Sequence, residues 1–135
     1  MTVQVGHQGA RRVASGARQS FVAASAQLDN GTPVLSVMGE VDLATAPALE
    51  QTLFDLAEAG TGDVIVDLSG CSFLDSAGLR ALIATRTRLE HSDRSLALVL
   101  SNPSVMRIFQ ITQYDQWFDT YPSLRAAGNG KNGHG

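Results

Sequence analysis

Two short runs decide what this chain can fold into: DVIVDL at 63–68 and LALVL at 96–100. Each is apolar at consecutive positions, and each is shorter than the roughly ten residues that a buried helix needs, so both read as buried strands. Between them Leu79, Leu82, Ile83 and Leu89 recur at helical spacing. Strands that alternate with helices require crossover connections, which makes the sheet at least partly parallel. The predicted fold class is α/β.

The flanking segments extend the pattern without an internal repeat. FVAASAQL (21–28) and PVLSVMGE (33–40) are joined by DNGT, whose Asn30-Gly31 pair is a strong hairpin signal because both residues accept positive φ. From Ala46 to Ala59 the apolar positions Leu49, Leu53, Leu56 and Ala57 mark a helix, with Thr45 as a cap, Pro47 in its first turn and Gly60 beyond its end. NPSVMRIFQIT reads as a helix capped by Asn102 with Pro103 at its first position, and WFDTYPSLRAA as a short strand and a final turn or two of helix. The order is therefore a β-hairpin followed by α-β-α-β-α-β. Residues 1–20, rich in Gly, Ala, Ser and Arg, and residues 128–135, GNGKNGHG, lack apolar periodicity and are expected to be flexible tails around one domain at 21–127.

Composition narrows the function. A chain of 135 residues is long enough for one buried core, and its 44% hydrophobic content holds no apolar run near the roughly 18 residues of a membrane span. No secretory signal follows the early arginines, so the expected location is the cytoplasm. The segment 21–127 carries thirteen acidic and six basic residues, a net charge of −7, which argues against a nucleic-acid partner and leaves a basic protein surface plausible. The single cysteine, Cys71, reads as a buried thiol, and with three histidines it makes no spaced metal cluster. No cofactor is expected.

The candidate chemistry lies in CSFLDSAGLRAL (71–82), where an apolar strand gives way to a helix at Ser76. A nucleophile elbow fails, because G-x-S-x-G has Leu74 in place of its first glycine. A base is missing too: His7 and His134 lie in the tails, and His91 follows a helix about 22 Å long. G-x-x-x-x-G-K-[ST] is absent and the single lysine is Lys131, so a phosphate-binding loop fails as well. A phosphorylation switch fits better. A phosphate at a helix N-terminus meets free N–H groups and the positive end of the dipole, so the fold tolerates it, while the surface gains charge beside Asp75. On pattern alone, a plain capping role for Asp75 and Ser76 is the favoured reading.

GEVDLATAPAL (39–49), VIVDLSGCSFLDSAGL (64–79) and the NPSVMRIFQIT helix, in this order, resemble the STAS domain, and specifically the bacterial anti-sigma factor antagonists. The resemblance covers residues 21–127. It implies a mixed sheet of four or five strands opening with a hairpin, helices packed mainly on one side, and no enzymatic activity. It also implies a phosphorylatable serine in D-S-x-G-L, which falls on Ser76, with Ser69, Ser72 and Ser104 as outside candidates. The implied partner is an anti-sigma factor that is itself a serine kinase of the histidine-kinase-like ATPase type, with a serine phosphatase as a further partner. Asp42, Thr45, Asp75, Ser76, Ala77, Gly78 and Arg80 are the expected partner-binding residues. Asp42 serves equally as a turn cap, and Arg80 as a plain solvated arginine. STAS domains also serve as scaffold or regulatory subunits of transport and stress-sensing complexes, which is the alternative reading.

Overall fold

A computed structural model of the chain describes residues 11–15 and 21–133. Its elements are β1 (Arg11–Ser15), β2 (Phe21–Gln27), β3 (Pro33–Val41), α1 (Ala46–Ala59), β4 (Val64–Asp67), β5 (Cys71–Leu74), α2 (Ser76–Glu90), β6 (Leu96–Val99), α3 (Pro103–Thr112), β7 (Asp119–Tyr121) and α4 (Leu124–Gly133). The α/β class, the opening hairpin and the first three helices stand where the sequence places them. In the hairpin turn Gly31 takes φ +90° and its N–H donates to Leu28 O at 2.9 Å. Asn30 keeps negative φ and instead accepts from Thr32 N through its side chain.

The sheet has seven strands in the order β1-β2-β3-β4-β6-β7, with β5 also pairing with β3. Pairing is antiparallel from β1 to β3 and parallel elsewhere. β3 is the hub. Its residues 33–39 pair with β2, while β4 takes Val34 to Ser36 and β5 takes Gly39 to Val41.

Two strands exceed the expected count. CSFL is too short and too closely framed by Ser-Gly and Asp-Ser to register as a strand, yet β3 still offers backbone groups beyond the end of β4, and β5 uses them. Arg11–Ser15 pairs with β2, so the expectation of a flexible tail does not hold for 11–15. Backbone pairing along an edge requires no apolar alternation, which is why the composition concealed it. The rest of residues 1–20 lies outside the described residues. At the other end α4 continues to Gly133, past the expected boundary at 127.

One face of the sheet packs against α1, α2 and α3 through Leu49, Leu53, Leu79, Leu82, Leu89, Val105 and Phe109, all buried over Leu35, Val37, Val66, Leu98 and their neighbours. Among the described residues the opposite face carries only α4, with Ala127 over Val34, Ile65, Ala97 and Val99. Arg94 braces the far end of α1. Its Nη1 donates to Ala57 O at 2.9 Å and its Nε to Gly62 O at 2.7 Å, so a side chain satisfies a carbonyl that the helix end leaves without an intrahelical partner.

Phe109 is fully buried and meets Phe118 edge to face at 5.8 Å. Phe109→Ala is expected to lower stability by about 3–5 kcal/mol. Urea titration checks this as a fall in midpoint with the slope unchanged.

Candidate functional site

Two chain segments meet at the carboxyl ends of β3 and β5. Gly39 takes φ +97° where the ladder between these strands shifts register, a conformation that other residues adopt only under strain. Beyond it the Asp75 N–H donates to Val41 O at 3.2 Å, which ties the start of α2 to the exit of β3.

The β3 exit is closed by a local bracket. Asp42 Oδ1 accepts from Ala44 N at 3.0 Å and Thr45 N at 3.1 Å, while Thr45 Oγ1 accepts from Asp42 N at 2.9 Å. Thr45 is buried, at 1% exposure. It makes no capping bond to α1, because its hydroxyl is spent inside the turn. Asp42 remains half-exposed beside exposed Leu43 and Ala44.

At the start of α2, Asp75 takes the cap. Its Oδ1 accepts from Ala77 N at 2.9 Å and Gly78 N at 3.2 Å, which leaves the exposed Ser76 hydroxyl outside the cap. Arg80, one turn on and exposed, lies on the same helix face as Ser76. Ala77 and Gly78, also expected at the contact surface, are buried beneath Ser76. A Cβ on Gly78 would stand 2.9 Å from both Leu74 Cγ and Val41 Cγ1. Glycine here lets α2 sit directly on β3 and β5, and that seating sets the height of Ser76.

The alternative serines are placed differently. Ser69 bonds through its hydroxyl to Asp67 Oδ1, and Ser72 Oγ donates to Gly39 O at 3.3 Å. Ser104 is exposed in the first turn of α3, where its N–H donates to Asn102 Oδ1 at 2.9 Å. An open cleft of about 490 Å³ lies between α1 and α2, with Leu43, Pro47 and Glu50 on one wall and Ala77, Arg80 and Ala84 on the other. Leu43 is 73% exposed at its mouth. Sequence reasoning passed over this leucine, although an apolar residue directly after the G-E-V-D turn, with no helical register to bury it, was a usable signal. Among the described residues no three acidic, histidine or cysteine side chains come together to hold a metal ion, and no helix is long and apolar enough to cross a membrane.

The STAS domain family model matches residues 23–127. An anti-sigma-B factor antagonist of Staphylococcus epidermidis is 36% identical over 78 residues, 58% of this chain and 72% of the relative. A crystal structure of an anti-sigma factor antagonist from Mycobacterium paratuberculosis shares the fold with a TM-score of 0.73 at 34% identity, over 82% of this chain and 92% of that one. The anti-sigma factor antagonist SpoIIAA, in its unphosphorylated form, has the same fold, with a TM-score of 0.67 at 22% identity over 82% of this chain and 96% of that one.

The division of labour at the start of α2 has a measurable signature. Asp75→Ala is expected to cost about 1 kcal/mol as the loss of a cap, and Gly78→Ala about 1–3 kcal/mol as an overpacked contact. Ser76→Ala should stay within about 0.5 kcal/mol of the parent. Denaturant melts of the three variants test this, and a Ser76→Ala loss equal to that of Asp75→Ala would make Ser76 part of the cap.

Proposed function

Because this chain belongs to the STAS domain family, and within it to the anti-sigma factor antagonists, we propose that it works by partner switching. The unphosphorylated protein binds an anti-sigma factor in the cytoplasm and so frees the sigma factor. That anti-sigma factor is a serine kinase of the histidine-kinase-like ATPase type. It supplies the ATP, phosphorylates Ser76 and thereby ends the binding, and a serine phosphatase resets the chain. The protein itself performs no catalysis and holds no cofactor.

The observation that carries this reading is the separation of roles between neighbours: Asp75 holds the helix end, while Ser76 is exposed with its hydroxyl outside the cap. A kinase needs an accessible acceptor, and a switch needs that acceptor inside the contact surface. The proposed surface comprises Asp42, Leu43, Asp75, Ser76 and Arg80, with Thr45, Ala77 and Gly78 positioning it from beneath. Phosphorylation adds roughly two negative charges beside Asp75. Two unit charges about 5 Å apart at an effective dielectric of 20 repel by roughly 3 kcal/mol. The helix N-terminus offsets this within the folded chain, because its N–H groups and dipole favour the anion. A partner packed over the same end receives no such compensation.

Ser76→Asp is expected to weaken binding to the anti-sigma factor by about 2–5 kcal/mol, roughly 30-fold to several thousand-fold in Kd. Ser76→Ala should bind like the parent and resist inactivation by kinase and ATP. Calorimetric titration of the three proteins against the partner measures the affinities. Equal affinities of the Asp and Ala variants, with both folded, would remove the switch and favour a scaffold or regulatory-subunit role. Phosphate mapped by mass spectrometry to Ser69, Ser72 or Ser104 would move the switch to another surface.

A further inference from the structure

The two edges of the sheet are both guarded, by different means. At one end β7 is three residues long, opens on the charge of Asp119 and is followed directly by Pro122. At the other end β1 carries Arg11 and Arg12 and shifts register between Arg12 and Ala14. Shortness, charge, proline and bulges all make an edge a poor template for a further strand.

The strand behind β1 has none of these defences. β2 reads FVAASAQ, with no charge, proline or glycine, and it pairs with β3 over seven consecutive residues without a register shift. Without β1 it would present a flat, uncharged edge of unpaired backbone groups. The family match begins at residue 23, inside β2, so β1 is an addition beyond the matched sheet. It is also an edge strand of five residues with a bulge, the kind of element that opens at lower free energy than the core it borders.

We propose that β1 is a detachable guard, and that the β2 edge beneath it is an interface for a second copy of this chain, β2 pairing antiparallel with β2 across a two-fold axis. An antiparallel strand paired with itself is self-complementary, which a two-fold interface requires. The charge distribution favours this occupant. The segment 21–127 carries a net charge of −7, which opposes contact between copies over most of the surface, whereas β2 contributes no charge of its own. Release of β1 leaves the uncharged β2 strand to meet its equal. Association is thereby coupled to the state of the N-terminal strand, at the opposite end of the strand order from β7.

The test uses the full chain carrying Arg12→Pro, Val13→Pro and Ala14→Pro together. These substitutions strip three consecutive N–H donors from β1 and leave every residue from 16 onward in place. Light scattering after size exclusion should find the parent monomeric and the triple variant dimeric, with its self-association constant raised at least about tenfold. Adding Ala24→Lys to the triple variant sets like charges against each other across the two-fold and should restore the monomer. A triple variant that stays folded and monomeric overturns the proposal, as does a dimer that Ala24→Lys leaves intact. So does a parent as dimeric as the variant. Loss of the fold in the triple variant, seen by circular dichroism, would make β1 an integral strand and not a guard.

Discussion

One backbone hydrogen bond, from Asp75 N to Val41 O, ties the start of α2 to the exit of β3, where the candidate site lies. It exists because β3 is nine residues long and its partners on one side are two short strands in succession. β4 pairs with the first part of β3, the chain bends at Ser69 and Gly70, and β5 resumes pairing near its end. Without that second attachment the start of α2 would hang from a loop. With it, the turn built on Asp42 and the cap built on Asp75 become one surface, and the hydroxyl between them is placed by sheet geometry.

The packing below keeps that placement narrow. Val41 and Leu74 are both buried and both touch the space where a Gly78 side chain would stand, so α2 cannot rise or slide without opening a gap. Leu79 and Leu82 anchor the next turn in the core. Close packing at this end would suit the proposed switch, because a looser site would relax around an added phosphate and dilute its effect on a partner.

How much of this was legible depended on the range of the interactions. Asp75 and Asn102 cap their helices through bonds that reach two or three residues along the chain, so pattern alone located both helix starts. β4 and β6 declared themselves as buried apolar runs. β5 could not, because its reason for being a strand lies about thirty residues away in β3. The burial of Thr45 was hidden for a related reason: a threonine before a helix looks like a cap, and only the fold shows its hydroxyl turned into the preceding turn. Leu43 and the cleft it borders are products of how α1 and α2 pack, a relation that no single segment encodes.

The burial of Cys71 has a consequence for what kind of signal can reach this site. The chain's only thiol sits five residues before Ser76 and has no exposed surface. Burial pushes its pKa above the ordinary cysteine value, partly offset by its contact with the Phe73 carbonyl, so it stays a protonated thiol at neutral pH. Thiolate is the form that peroxide, glutathione and other disulfides attack, and it must also be reachable. Neither condition is met. Thiol-based redox signals therefore have no handle next to Ser76, and the proposed phosphate switch would work independently of the thiol redox state around it.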